Sequence, residues 1–123
     1  MIKTVHINDY INTALSIDDA STIAPIIQHE LSKLNSNDIL QCDFTNVKYF
    51  TPSFFNRAFM NLLESRTIEQ YHNMIQLVNL SKIGQMAYNY SLENAKNWIN
   101  THYNNHTANT GNNNQIDNDS NKQ

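Results

Sequence analysis

The chain is poor in the residue types that mark several common classes of small protein. Its 123 residues include only two glycines and one cysteine. A single cysteine cannot build an intrachain disulfide framework, and neither glycine lies in a glycine-rich loop of the kind that holds phosphate. Basic residues are also few, since eight Lys and Arg stand against eleven Asp and Glu and the net charge is -3. This balance argues against a dedicated nucleic-acid-binding protein.

Long apolar runs are absent as well. No stretch approaches the roughly 20 apolar residues that a helix needs to span a bilayer. No charged leader followed by an apolar core opens the chain. Cys42 lies inside an apolar strand pattern, where a free thiol behaves as a small buried hydrophobe. We therefore expect a cytoplasmic protein that contacts neither a membrane nor nucleic acid.

Composition divides the chain into two parts. Residues 104–123 are dominated by Asn, Asp, Ser, Thr, Lys and Gln, and Ile116 is their only large apolar residue. Such a segment cannot bury enough surface to offset the entropy lost on ordering. The sequence therefore predicts one folded domain at residues 1–103 and a disordered Asn-rich tail at residues 104–123.

Within residues 1–103 the apolar pattern alternates between strand and helix periods. Strands are predicted at 2–7, 39–44 and 74–79, with a short fourth strand near 48–50, and helices lie between and after them. Leu40, Cys42 and Phe44 share the strand face that should meet the helices. This order predicts an α/β fold in which a small, mostly parallel sheet of about four strands is packed by helices.

Three residues should shape the helices. Ser16 is expected to begin the first helix, and Pro25 to kink or restart it. Ser91 is expected to cap the second of two helical segments within residues 82–103. The apolar residues of that region that should point inward are Ile83, Met86, Ala87, Leu92, Ala95, Trp98 and Ile99.

The most informative segment is residues 43–55, which is typical of a strand, a tight connection and a sharply started helix. Thr51 suits the N-cap and Pro52 the first helical position. Ser53 then lies in the first turn, where unpaired N–H groups and the helix dipole favour a phosphate or a partner's carboxylate. The inward stripe of this helix comprises Phe54, Phe55, Ala58, Phe59, Leu62 and Leu63.

This motif resembles the STAS-like domain family of unknown function, which is related to bacterial anti-sigma factor antagonists. The similarity extends from about Ala14 to Ile99 and includes residues 74–80 as a later strand. It implies a small, non-enzymatic α/β regulatory domain that binds a protein partner. The expected partner is an ATP-dependent serine kinase of the histidine-kinase-like ATPase fold or an anti-sigma-like factor.

The resemblance also implies functional residues. In the antagonists an Asp-Ser-Ser-Gly turn carries the phosphorylated second serine, and that turn corresponds to residues 51–54 here, where only Ser53 matches. Ser53 is thus the implied phosphoacceptor. Asp43 is a candidate supporting residue, because it ends a strand beside the Ser53 turn. The implied partner-binding residues are Thr51, Ser53, Phe54, Asn56 and Arg57.

Other interpretations of these residues stay open. The Ser53 hydroxyl could satisfy the helix entrance, and Asp43 could bind backbone amides of the loop that follows it. A different class of function is a small enzyme or a nucleotide- or ligand-binding domain that uses Asp43, Ser53 and His72, because open α/β sheets bind ligands beyond the carboxyl ends of their strands. A self-associating module is a third possibility.

No metal or cofactor site is predicted. His102 and His106 have the spacing of one helix face, but no third ligand lies nearby in the sequence. Cys42 has no neighbouring His or charge that would lower its pKa and make it a nucleophile. The aromatic residues between 49 and 59 are expected in the core.

Overall fold

The computed structural model describes the backbone of residues 1–112 and the side chains of residues 1–101. Contacts divide the chain into two units, Met1–Glu93 and Asn94–Gln123, and the sheet and its packed helices belong to the first. The described elements are β1 (Ile2–His6), β2 (Thr13–Ala14), α1 (Ile17–Ser32), β3 (Ile39–Asp43), β4 (Lys48–Phe50), α2 (Pro52–Ala58), α3 (Ile68–Met74), β5 (Ile75–Val78) and α4 (Lys82–Asn112), with short 3-10 turns at Ile7–Asp9 and Met60–Glu64.

The main sheet confirms the predicted parallel arrangement. Its three strands lie in the order β1-β3-β5, and all of their pairings are parallel. Val5, Cys42 and Leu77 lie opposite one another in register. Leu40, Cys42 and Phe44 are buried on this face, as the alternating pattern predicted, so the face supports the helices.

The middle of the opposite face of the sheet is polar, between Ile2 and Ile39 at one end and Val78 at the other. Thr4, Gln41 and Gln76 lie in register on it, and Thr4 and Gln76 are exposed. Thr4 Oγ1 donates to Gln41 Oε1 at 3.4 Å. Parallel sheets are usually covered on both faces. Here the polar side chains in register explain how one face can meet water.

The predicted fourth strand exists but belongs to a separate sheet. Among the described strands β4 pairs with β2 alone, and the sequence pattern did not predict this pairing. Thr13 lies opposite Lys48 and Ala14 opposite Phe50, so Tyr49 is an extra, bulged residue. Its φ is 58° and its side chain is 66% exposed. A non-glycine residue in the left-handed region is uncommon.

The helix α1 begins where the sequence predicted. Ser16 Oγ accepts from the Asp19 N–H, and the Asp19 carboxylate accepts from the Ser16 N–H, which together form a capping box. Pro25 lies inside a single continuous helix and does not restart it. Since proline has no N–H, the carbonyl of Ser21 has no helical donor at this point.

Two features between β4 and the end of α4 differ from the sequence prediction. The helix α3 was missed, although Thr67 and Gln70 form a capping box at its start. The helix α4 is continuous, so Ser91 does not cap a second segment. The side chain of Ser91 is fully buried instead.

The inward face of α4 agrees only in part with the predicted one, since Ala87 is buried as predicted. Gly84, Ala87 and Ser91 are buried, whereas Ile83 and Met86 are 61% and 59% exposed. Trp98, which was also predicted to point inward, is 61% exposed. Small residues therefore form the contact face of the first turns, because α4 lies close to the Phe50 ring. The helix continues past residue 104 to Asn112, and the rest of the predicted tail, 113–123, lies outside the described residues.

An aromatic cluster forms the centre of the core. The ring centroid of Phe44, at the end of β3, lies 6.0–6.2 Å from the ring centroids of Phe50, Phe55 and Phe59. Phe50 and Phe55 are stacked, with centroids 6.0 Å apart. Four of the five aromatic residues of the 49–59 run are buried, as predicted, and Tyr49 is the exception.

The close approach of α4 to this cluster generates a stability prediction. In Gly84→Ala the new Cβ would lie 3.0 Å from Cε2 of the buried Phe50 ring. We expect Gly84→Ala to lower the free energy of unfolding by about 1–2 kcal/mol in urea, even though alanine favours helix by roughly 1 kcal/mol. Met86→Ala, at an exposed position of the same helix, is the control and should change the free energy of unfolding little. A more stable Gly84→Ala protein would contradict the packing described here.

Candidate functional site

The helix α2 is started by one side chain that joins two elements. Thr51 Oγ1 accepts from the Phe54 N–H at 3.3 Å, and Thr51 Oγ1 donates to the Leu15 carbonyl at 2.9 Å. Pro52 occupies the first helical position. The predicted N-cap is therefore confirmed, and the same hydroxyl ties the start of α2 to the segment before α1.

The side chains of α2 divide between core and surface. Phe54, Phe55 and Ala58 are buried, and Ser53, Asn56 and Arg57 are exposed. Phe54 is 0% exposed, so the sequence-based expectation that it contacts a partner is wrong. Thr51 is occupied with capping. Three of the five predicted partner-binding residues are thus available at the surface.

These three residues line one groove between α1 and α2. The groove has a volume of about 730 Å³. Arg57 is the only charged residue that lines it, and no ion pair of Arg57 occurs within the described part of the chain. The lining residues are Ile17, Ser21, Ala24, Pro25 and Gln28 from α1, and Ser53, Asn56, Arg57 and Asn61 from α2 and the turn after it.

Ser53 does not satisfy the helix entrance, contrary to the local interpretation of its hydroxyl. Thr51 accepts the Phe54 N–H instead. Among the described residues no hydrogen bond of Ser53 Oγ is found, and the side chain is exposed in the groove. Ser53 and Arg57 are four residues apart, so their side chains are neighbours on the surface of α2.

Two asparagines line the groove. Asn56 Oδ1 accepts a hydrogen bond from the buried hydroxyl of Ser91 on α4. Asn61 Oδ1 is buried and has no hydrogen-bond partner in the described structure. An unsatisfied buried acceptor costs roughly 1–3 kcal/mol. This end of the groove therefore carries an acceptor that no described residue pairs.

The α1 side of the groove was missed by sequence reasoning. Ile17, Ser21, Ala24 and Gln28 follow the spacing i, i+4, i+7 and i+11, which places them on one helix face. That spacing was visible in the sequence, but its small and polar residues lie beside a stronger apolar stripe. Ile17 is 59% exposed and gives the groove an apolar rim.

Asp43 lies in a different place, at the carboxyl edge of the main sheet. Its Oδ1 accepts from the Thr45 N–H at 2.9 Å, from Thr45 Oγ1 at 2.6 Å and from Asn79 Nδ2 at 3.0 Å. His6 Nδ1 is 3.4 Å from the other carboxylate oxygen. The ends of all three strands thus converge on this carboxylate, and the interpretation that Asp43 binds backbone in the following loop is confirmed.

These hydrogen bonds change the acidity of Asp43. The Thr45 hydroxyl, then Asn79 and the Thr45 backbone, lower the pKa of this carboxyl from 3.8 to about 2. Burial raises the pKa of the Cys42 thiol to about 12, which disfavours the thiolate form that a nucleophilic cysteine needs.

The structure does not bring together the residues named for an enzyme. Ser53 lines the α1–α2 groove, His72 lines a separate cavity beside β5, and Asp43 lines neither. Among the described side chains no group of three or more His, Cys, Asp or Glu could hold a metal ion. His102 and His106 have side chains outside the described set. No helix in the part of the chain searched is long and apolar enough to cross a membrane.

The low pKa of Asp43 predicts an acid-sensitive fold. A carboxyl whose folded pKa is depressed contributes stability that is present above its unfolded pKa, 3.8, and is lost as the pH falls towards about 2. The Asp43 side chain is 17% exposed, and we expect its contribution to the free energy of unfolding to be at most about 2 kcal/mol. Urea unfolding between pH 2 and 6 should therefore show that the free energy of unfolding falls more steeply with decreasing pH in wild type than in Asp43→Asn. Asp9→Asn, which removes an exposed carboxyl outside this cluster, is the control. Identical slopes of unfolding free energy against pH in wild type and Asp43→Asn would refute the lowered pKa of Asp43.

Comparison with protein-family models, with curated proteins and with solved structures found no match to this chain. The similarity to STAS-like domains therefore stays a proposal drawn from the motif at residues 43–55. The functional argument depends on the geometry of the α1–α2 groove, where three of the predicted site residues meet.

Proposed function

We propose that this chain is a non-enzymatic regulatory module, of the STAS-like type, that binds a protein partner through the α1–α2 groove. The observation that carries the proposal is the meeting of Ser53, Asn56 and Arg57 in one groove. The same three residues were singled out from the sequence by position in the motif. The proposed partner is a serine kinase of the histidine-kinase-like ATPase fold or an anti-sigma-like factor.

The charge of the groove favours a particular partner chemistry. Arg57 is exposed, is the only charged residue lining the groove and has no ion-pair partner among the described residues. A guanidinium binds a carboxylate through two parallel hydrogen bonds. The partner segment is therefore proposed to present a carboxylate towards Arg57, with polar contacts to Ser53 and Asn56.

Exposed apolar residues near the entrance of α2 support a protein partner rather than a small ligand. Leu15 is 43%, Ile17 59% and Tyr49 66% exposed, and all three lie close in sequence to residues that shape the entrance of α2. The left-handed conformation of Tyr49 costs roughly 1–2 kcal/mol. Bulges often re-aim a side chain towards a functional surface, and aromatic residues are favoured anchors in protein interfaces.

Phosphorylation of Ser53 would act directly on the positive charge of Arg57. A separate kinase would transfer the γ-phosphoryl group of ATP to Ser53 Oγ, and the phosphate would lie one helical turn from Arg57. It would then pair with the Arg57 guanidinium within the same helix. Arg57 would no longer be available to the partner's carboxylate, so phosphorylation would release the partner.

Binding experiments test the groove. Proteins captured from a host lysate by wild type should be recovered about tenfold less well by Arg57→Glu if that ion pair contributes about 1.4 kcal/mol. Ser53→Asp should weaken the same partners and Ser53→Ala should not. Lys82→Glu makes the same charge change outside the groove and is the matched control. Unchanged affinity of Arg57→Glu and Ser53→Asp for every recovered partner would refute the site.

Modification of Ser53 is tested separately. Intact mass and phosphopeptide mapping of protein isolated from the host should show one added phosphate on Ser53, and Ser53→Ala should lack it. An exposed hydroxyl with no competing hydrogen bond is accessible to a kinase. Absence of the phosphate under all growth conditions would remove the switch from the proposal and leave the binding surface standing.

A further inference from the structure

The strand β5 lies at one edge of the main sheet. It pairs with β3 on one side, and among the described residues no strand pairs with its other side. An exposed strand edge is a template for pairing with another chain. The orientation of its backbone groups therefore determines what the edge can bind.

The backbone bonds of β5 identify the residue that faces outward. The Val78 carbonyl accepts from the Phe44 N–H at 3.0 Å, so the backbone of Val78 faces β3. Peptide groups alternate along a parallel strand, and those of Leu77 therefore point to the opposite side. Neither the N–H nor the C=O of Leu77 has a partner among the described residues.

A cavity lies directly beside this edge. Its volume is about 350 Å³. Its apolar part comes from β5 and the residues next to it, while Tyr88 of α4 and His72 of α3 bring polar groups to its walls. The Tyr88 hydroxyl already shares a hydrogen bond with Tyr71 at 2.8 Å. The complete lining is His72, Ile75, Gln76, Leu77, Val78, Leu80, Gln85 and Tyr88.

We propose that the β5 edge and this cavity form a second binding site, separate from the α1–α2 groove, which takes an extended peptide segment of another protein. An antiparallel peptide residue would exchange two hydrogen bonds with Leu77, one with its N–H and one with its C=O. An aliphatic side chain of the peptide would enter the cavity. Backbone pairing supplies affinity in this binding mode, and the side-chain pocket supplies specificity.

The size of the edge selects a peptide over a second copy of the chain. The four residues of β5 span only about 13 Å at 3.3 Å per residue. A stable dimer buries about 800 Å² on each partner, and one such short strand cannot provide that area. A peptide with one anchored side chain fits the edge and the cavity together.

Hydrogen exchange measured by NMR tests this site. The free protein should show fast exchange of the Leu77 N–H and slow exchange of the Gln76 and Val78 N–H groups, which face β3. The probe is an acetylated hexapeptide of alternating threonine and valine. When half of the protein is occupied, it should slow Leu77 exchange about twofold by mass action and shift the Tyr88 and His72 side-chain resonances.

Two controls make the test decisive. The same peptide with every backbone nitrogen N-methylated has no N–H to donate to the Leu77 carbonyl and should have no effect. Leu77→Pro removes the outward N–H, keeps the bonds of the neighbouring residues to β3, and should abolish the peptide response. If Leu77→Pro does not fold, the methylated peptide still discriminates.

Several outcomes would overturn the proposal. The first is an unchanged exchange rate of the Leu77 N–H up to the solubility limit of the probe. The others are an equal effect of the methylated peptide on that rate, or slower exchange of the Thr4 N–H of β1 in place of Leu77. Protection of Leu77 that rises with protein concentration alone would show that a second copy occupies the edge, and would also overturn it.

Discussion

The packing of Phe55 between Phe44 and Phe54 is the interaction on which the candidate site depends. The ring centroids of Phe54 and Phe55 lie 5.2 Å apart, and that of Phe55 lies 6.0 Å from that of Phe44. A seven-residue helix such as α2 is too short to persist by its own propensity, so burial of these rings is what keeps it helical. Because Phe54 and Phe55 point inward, the helical repeat turns Ser53 and Arg57 outward. The same packing therefore stabilises the core and presents the groove.

The connection before α2 meets a second constraint. The N-cap Thr51 must reach both the Phe54 N–H and the Leu15 carbonyl, and this fixes β4 beside β2. The bulge at Tyr49 accommodates the mismatch between these short strands. It leaves an exposed aromatic ring in an unfavourable backbone conformation. Asparagine or glycine would adopt this conformation at lower cost, so a tyrosine at this position is consistent with use of its side chain at a surface.

Local signals in the sequence were sufficient for β3, for the start of α1 at Ser16 and for the start of α2 at Thr51, since each depends on residues within a few positions. The capping box of α3 was present in the sequence as Thr67 and Gln70, but the helix that it begins has only seven residues and leads directly into β5. The pairing of β2 with β4 could not be derived locally, since its register depends on distant strands. The exposed position of Met86 likewise reflects tertiary packing, because the space beside Phe50 admits only small residues on α4.

The two proposed binding surfaces would recognise different chemistry. The groove presents a side-chain cation and exposed hydroxyl and amide groups, so its affinity should depend on partner charge and fall as salt rises. The β5 edge presents one peptide N–H and C=O beside an apolar cavity, so its affinity should depend on backbone conformation and be largely insensitive to salt. Phosphorylation of Ser53 adds charge only to the groove. It would therefore switch the first surface and leave the second unchanged, which allows one module to hold one partner while it releases another.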